Sequence, residues 1–265
     1  MRKLQAGLSY PTLNKNEEMK MLERRIEEAG LNAWPSLQQI LYDGWILRLA
    51  GGYTKRANSI NPLYADTLAL EEKIASCEQV YARQNLPAIF RLTSFGAPAR
   101  LDEALAGRGY RKAELSLIMH RELRSEILPP NPDPVEVADL PIEDWLKIFC
   151  RLKGAELEQH QTHRAILEKI PGHTLFVGLK DQGDEIACGL GVVENGFFGL
   201  FDLVTDPARR NRGYATKLVS HLLSWARENG ASHAYLQVVA ANTPARQLYA
   251  KLGYRELYHY WYRLK

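Results

Sequence analysis

One stretch constrains the fold more than any other. Asp206-Pro207-Ala208-Arg209-Arg210-Asn211-Arg212-Gly213-Tyr214-Ala215 lies between an apolar run, Phe197 to Thr205, and a segment in which Ala215, Leu218, Val219, Leu222, Leu223 and Ala226 recur at helical spacing. A strand, a basic turn and an amphipathic helix therefore follow one another. A helix start leaves backbone N–H groups unpaired, and its dipole favours an anion there. Gly213 lets the main chain approach such an anion closely. Arg209, Arg210 and Arg212 supply charge for it. These features together make a pyrophosphate cradle. The alternative is a basic loop that caps a helix and holds no ligand. The turn lacks the Gly-Lys-Ser/Thr of a nucleotide P-loop and the Gly-x-Gly-x-x-Gly of a dinucleotide site.

Around this stretch the second half alternates strands and helices. Val135 to Leu140 reads as a strand, and Ile142 to Lys153 and Thr162 to Ile170 as helices. Thr174 to Leu179 and Ile186 to Val193 are strand-like runs joined by a turn. After the long helix, stopped by Gly230, come a strand (Ala234 to Ala240), a short helix (Pro244 to Leu252) and an aromatic-rich strand (Tyr254 to Leu264). In the first half Met19, Leu22 and Ile26 share a helix face. Trp45 to Ala50 and Tyr53 to Ile60 read as two strands around Gly51-Gly52. A helix (Thr67 to Arg83), a strand (Pro87 to Thr93), a helix (Pro98 to Ala106) and a strand (Glu114 to Leu123) follow. Four prolines between Ile127 and Pro134 mark a linker, because proline fixes φ and removes a donor. The expected division is a first domain over 1–126, a linker over 127–134 and a second domain over 135–265. A weak repeat relates the two: Pro98-Ala99-Arg100 precedes Gly109-Tyr110-Arg111 as Pro244-Ala245-Arg246 precedes Gly253-Tyr254-Arg255.

Composition narrows the function classes. The net charge is +3, and charges are interleaved, so nucleic acid is not implied as a partner. No apolar run is long enough for a membrane span, and the N-terminus has no signal-peptide core, so no membrane partner is expected. Cys77, Cys150 and Cys188 are scattered, which gives neither a disulfide framework nor metal-ligand spacing. A reducing cytoplasm is the expected setting, and no metal is expected.

The motif Arg210-x-x-Gly213-x-Ala215 resembles the Q/R-x-x-G-x-G/A signature of the GCN5-related N-acetyltransferases, the GNAT superfamily. Downstream, Asn242-x-x-Ala245-x-x-Leu248-Tyr249-x-x-Leu252-Gly253-Tyr254 is similar to that family's second recognisable block. The resemblance covers about residues 135–265, and residues 40–123 resemble a degenerate second copy. It implies a mixed α/β sheet, a GNAT fold preceded by a degenerate GNAT-like half, and acetyl-CoA as the acyl-donor substrate. By the resemblance Arg209, Arg210, Asn211, Arg212, Gly213, Tyr214, Ala215 and Thr216 surround the pyrophosphate. Backbone at Leu203 and Val204 receives the pantetheine arm in a slot where Gly199 to Thr205 splays from Tyr235 to Ala240. Asn242 binds the cofactor or fixes its loop. Tyr249 protonates the departing thiolate; taken without the family, it reads as a packed aromatic on a short helix.

Direct attack by an amine also needs a base, because alkyl amines are protonated near neutral pH. Candidates are Asp202 in the strand and Glu156, Glu158, His160 or His163 in the first helical connection, with Asp202 and Glu158 foremost. Glu158, His160 and His163 also read as solvated surface. The first half lacks the cradle: Asn61 to Leu68 contains neither Gly nor Arg, and Leu105 stands where Tyr249 would. Arg48, Tyr53, Arg56, Asn58 and Asn61 either line an acceptor pocket between the halves or form the wet face of an edge hairpin. The function implied is acetyl transfer to a primary amine of a small, amino-acid-like molecule. Its rivals are a non-catalytic acyl-CoA-binding module and a protein acetyltransferase.

Overall fold

The computed structural model describes residues 14–96, 98, 100–123 and 136–265. The elements in chain order are α1 (Lys15–Ala33), β1 (Gln38–Tyr42), β2 (Trp45–Leu49), β3 (Ile60–Pro62), α2 (Leu70–Arg83), β4 (Phe90–Thr93), α3 (Leu101–Gly107) and β5 (Arg111–Glu122). They continue with β6 (Glu136–Asp139), α4 (Ile142–Lys153), α5 (Gln161–Leu167), β7 (His173–Asp181), β8 (Asp184–Glu194), β9 (Phe197–Thr205), α6 (Tyr214–Glu228), β10 (His233–Val239), α7 (Thr243–Lys251) and β11 (Arg255–Leu264). All strands join one mixed sheet of 11 strands, in the order β1-β2-β3-β4-β11-β5-β10-β9-β8-β7-β6.

From β1 to β7 that order is symmetric about the central antiparallel pair β11 and β5, and β6 at the far edge has no counterpart among the described residues. Outward from the centre, β4 answers β10, β3 answers β9 and β2 answers β8. β3 runs parallel to β4 as β9 does to β10. Each half lends its last strand to the other: β11 pairs with β4 of the first half, and β5 pairs with β10 of the second. The proline-rich segment 127–134 lies outside the described residues. On either side of it, the two halves share one hydrogen-bonded sheet through β5 and β11, while a core cluster from Trp45 to Tyr110 belongs to the first half.

Packing follows the two faces. One face of the second half buries Leu218, Val219, Leu222 and Leu223 of α6, with Tyr249 of α7, against the strands. The opposite face buries Trp145 and Phe149 of α4, Ile26 and Ala29 of α1, and Trp34 just beyond α1, against Phe201, Tyr235 and Tyr258. Trp34, Trp145 and Tyr235 are almost wholly shielded, and burial of such rings dominates core energetics. No helix among the described residues is long and apolar enough to cross a membrane.

Two expectations for the first half need correction. Tyr53 to Ile60 is not a strand. Asn58 Oδ1 accepts from Ala50 N and Gly52 N, and Thr54 caps the short 3-10 turn Lys55–Ala57, so the chain loops and only Ile60–Pro62 pairs. A hairpin also lies upstream of the expected strands. β1 meets β2 through Asp43-Gly44, both at positive φ (41° and 79°), the conformation such a two-residue turn demands.

Candidate active site

β9 leaves its neighbour part-way along. Its parallel pairing with β10 runs from His233↔Phe197 to Leu236↔Leu200 and then stops. The cause sits on the other side of the strand. Against β8, Leu190 faces Phe201 and Cys188 faces Val204, so Asp202 and Leu203 together oppose Gly189 alone. This is a bulge, with Asp202 at φ 46°. The Gly189 carbonyl instead accepts from Trp145 Nε1 at 3.0 Å. A bulged strand bends, and a slot opens between β9 and β10 whose strand backbone must find another partner.

The turn beyond β9 opens at the end of this slot. Asp206 Oδ1 accepts from Ala208 N at 2.9 Å, which fixes the entry to the turn. Gly213 is the N-cap of α6 at φ 82°, with no side chain capping the helix. The first bond of the helix joins Lys217 N to Gly213 O, so the amides of Tyr214, Ala215 and Thr216 have no acceptor within α6. A Cβ built on Gly213 would meet nothing within 4 Å. Arg210, Asn211, Arg212 and Thr216 are exposed around that space. A diphosphate fits this donor set: free helix N–H groups, open room at the glycine, and two exposed arginines, Arg210 and Arg212, beside it. Arg209 is differently placed. Its Nη2 meets Asp184 Oδ2 at 2.6 Å and its Nη1 meets Asp181 Oδ2 at 3.6 Å, while the Tyr214 hydroxyl also donates to Asp181. Together they clamp the β7–β8 turn to the cradle.

The two faces of the sheet bring different groups to the slot. On the α6 and α7 side, Tyr249 packs in the cluster that includes Tyr214, Leu203 and Ala240. Burial pushes its phenol up to about 12, so it stays a proton donor at neutral pH. Asn242 caps α7 through Oδ1 to Ala245 N at 3.3 Å. On the other side, Asp202 Oδ2 lies 2.9 Å from His163 Nε2. His163 is 1% exposed and its Nδ1 has no partner. Phe149, Trp34 and Tyr53 pack around its ring with centroids at 5.0, 5.4 and 5.5 Å. The Tyr53 hydroxyl is 2.9 Å from His160 Nδ1. Burial, and then the His163 charge, lower the pKa of His160. Burial, and then the Asp202 charge, raise that of Tyr53. Glu156 and Glu158 stand exposed at the rim, on and before the one-turn helix Leu157–His160. Cys188 is fully buried, and its thiol is pushed up by burial, which removes it as a nucleophile.

The first-half residues divide. Asn58 and Asn61 bond nearby backbone and hold their loop. Tyr53 reaches the second half, against His160 and His163, while Arg56 lies over Trp34 of its own half at 4.8 Å. Trp34 itself stacks on Phe201 of β9 at 6.0 Å, and nothing local in the sequence singles it out.

A splayed, bulged strand leading into an uncapped helix start, within a mixed sheet, is the arrangement that the resemblance to the GCN5-related N-acetyltransferases implies. Residues 23–263 match the family described as "Probable histone acetyltransferase Rv0428c C-terminal". The uncharacterized N-acetyltransferase YobR of Bacillus subtilis is 31% identical over 91% of this chain and 98% of its own. The solved GCN5-related N-acetyltransferase from Kribbella flavida superposes with a TM-score of 0.70 at 16% identity, covering 91% of this chain and 95% of that one. A tandem GNAT protein from the clavulanic acid biosynthesis pathway shares the fold at a TM-score of 0.59 and 12% identity, over 74% of this chain and 69% of its own. The chain belongs to the family that residues 23–263 match, within the GCN5-related N-acetyltransferases, and it is an acetyltransferase of that type. Enzymes of this type use acetyl-CoA.

Proposed function

We propose that the protein transfers acetyl from acetyl-CoA directly to the primary amine of a small or amino-acid-like molecule. The observation that carries this reading is the departure of β9 from β10 after Leu200 and Leu236, beside the open turn at Gly213. When bound, acetyl-CoA supplies an acyl group activated as a thioester. The amides of Tyr214, Ala215 and Thr216, with Arg210, Asn211 and Arg212, hold the diphosphate. Leu203 and Val204 offer backbone to the pantetheine arm. Arg209 acts one step back, by holding the carboxylates of the β7–β8 turn, and Asn242 by fixing α7.

Asp202, oriented by His163, takes a proton from the attacking amine. The amine nitrogen forms the new C–N bond as the C–S bond breaks. Tyr249 delivers its proton to sulfur from the opposite face. Amide and free thiol are the products; an ammonium acceptor loses its extra proton to solvent before attack, and afterwards Asp202 returns its proton to solvent while Tyr249 regains one. Glu158, exposed at the rim, is the lesser candidate for the base. Holding both reactants in one slot supplies much of the rate.

The acceptor side favours a small molecule. Tyr53, from the loop between β2 and β3, packs on His163 of α5, and Trp34 packs on Phe201 of β9, so first-half residues crowd the Asp202 side of the slot. The family's description as a histone acetyltransferase brings a protein acceptor into the test. Thiol release from acetyl-CoA is measured with a panel of primary amines and with basic peptides, beside calorimetric titration with CoA. Turnover of small amines supports the reading. Turnover of peptides alone favours a protein acceptor. Tight CoA binding with no turnover of either favours a binding module.

A further inference from the structure

The two outer edges of the sheet are unlike. β6 closes one edge with Glu136-Val137-Ala138-Asp139, so a carboxylate stands at each end of the strand. Charged side chains are a common guard on such an edge, because an unpaired row of N–H and C=O groups is a template for another strand. β1 forms the other edge with Gln38-Gln39-Ile40-Leu41-Tyr42. It has no charged residue, no proline and no bulge, and it pairs with β2 in unbroken register. Ile40 and Leu41 are 40% and 75% exposed. The internal symmetry sharpens the difference. β1 answers β7, and β7 is covered by β6, whereas no strand among the described residues covers β1.

The open groups of β1 follow from its neighbour. Gln39 stands opposite Arg48, and Leu41 opposite Ile46. The Arg48 amide donates to Ser59 O, the Tyr81 hydroxyl donates to Arg48 O, and Asn61 Nδ2 donates to Ile46 O, so these groups of β2 point away from β1. In an antiparallel ladder, both residues of such a pair turn their backbone groups outward. The N–H and C=O of Gln39 and Leu41 therefore face the free edge, while those of Gln38, Ile40 and Tyr42 face β2.

This spacing fits a second copy of the same strand. With an antiparallel copy related by a two-fold axis at Ile40, Gln39 meets Leu41 of the second copy, and Leu41 meets its Gln39. Each of these pairs exchanges both of its hydrogen bonds, so every outward group of the strand is satisfied. Ile40 meets its own copy as a pair without hydrogen bonds, the kind in which side chains lie closest. No like charges oppose each other. Asp43, next along the chain, spends its carboxylate on Thr67, Leu68 and Lys73. Two β6 strands paired in the same way would set Glu136 opposite Asp139, like against like.

We infer that β1 is a self-association edge, through which two copies of this chain pair into one sheet continuous across both. The contact is isologous, so it closes at a dimer. The slot between β9 and β10 lies beyond the central pair β11 and β5 as seen from β1, and the inference does not depend on acetyl transfer.

Sedimentation over a range of concentrations tests it. One strand pair with its flanking side chains is small for a specific interface, so the dimer should form with a dissociation constant of roughly 1–100 µM. Ile40→Lys sets two like charges on the axis and should weaken the dimer by at least about tenfold, as should Ile40→Glu. The two variants mixed in equal amounts should pair again, because Lys then faces Glu. Melting temperatures show that each variant folds. Hydrogen exchange reads the register in the unaltered protein. The Gln39 and Leu41 amides should slow as concentration rises, while the Ile40 and Tyr42 amides, already bonded to β2, should not change. A chain that stays monomeric up to about 1 mM overturns the inference. So does a dimer that Ile40→Lys leaves intact, or growth into larger species in place of a dimer. Slow exchange at Gln39 and Leu41 in the dilute monomer would also overturn it, since the edge would then be closed within one chain.

Discussion

The turn after β9 and the turn after β3 hold matching places in a symmetric sheet, and their contents differ. After β9 the helix start is uncapped, and a side chain at Gly213 would point into open space. After β3 the corresponding space is filled from within. Asp43, in the β1–β2 turn, accepts from Thr67 N at 3.0 Å, Leu68 N at 2.9 Å and Thr67 Oγ1 at 2.8 Å. The wholly buried Lys73 stands behind it, 3.1 Å from Asp43 and 2.9 Å from Asp66. The same hairpin turn in the second half, Asp181 to Asp184, also carries carboxylates, but Arg209 and Tyr214 hold them. One half sets a carboxylate of its own chain on the amides just ahead of its helix, whose own start at Leu70 has no side-chain cap. The other keeps its own acids occupied elsewhere and leaves the amides of its helix start for a ligand. Gly44 makes the filled version possible: a Cβ there would lie 2.3 Å from the Ala65 carbonyl, so only glycine lets the hairpin press this close.

Four substitutions would break or sharpen that contrast. The largest effect is expected for Gly213→Glu, which forces a left-handed position on a side chain and sets a like charge against the diphosphate. CoA affinity should fall by about 100-fold or more in calorimetry. Retained affinity would mean that the open turn is not the cradle. Next, Tyr249→Phe should lower turnover by at least about tenfold, with CoA affinity little changed. Its counterpart Leu105 is completely buried and has no proton to give. Arg209→Ala should release Asp181 and Asp184 and weaken CoA binding by a few-fold, because the pair is partly exposed and screened. Raised salt should shrink that difference.

The smallest effect concerns the filled turn. The Leu68 and Thr67 amides hold the Asp43 carboxyl well below the usual carboxylate range. A group with a lowered folded pKa stabilises fully above its unfolded value, near 4, and loses that contribution as the pH falls below it. Asp43→Asn should therefore lower the melting temperature by a few degrees at neutral pH and flatten the loss of stability below about pH 4. CoA should bind the variant as before, at one site per chain. A second CoA bound by Asp43→Asn would show that the plug alone had closed the first half.

What the sequence showed depended on range. The strand, turn and helix from Phe197 to Ala226 were legible because apolar spacing, glycine and the basic run are local signals. Asn242 and Tyr249 stood out only through the resemblance of their block to the family's; without it Tyr249 reads as a packed aromatic. Asp202 stood out as a carboxylate in an apolar strand. Its bulge did not, because that depends on the indole of Trp145, far away in the chain, taking the Gly189 carbonyl. His163 read equally well as surface, and only the fold shows it enclosed. Arg209 was indistinguishable from Arg210 and Arg212 until Asp184 appeared beside it. The Asp-Gly turn at 43–44 was a readable hairpin signal, but nothing in it announced that Asp43 would reach Thr67. Trp34 lies outside every motif and meets Phe201 and His163 only through tertiary packing.

The trade of last strands between the halves has a consequence for how this chain can be altered. β5 and β11 each complete the other half's sheet, so removing either half strips the survivor of an inner strand and exposes two rows of unpaired amides and carbonyls. Such interlocking makes the halves melt together. It also works as a ratchet on descent: neither half can be discarded, because its partner leans on it for structural integrity.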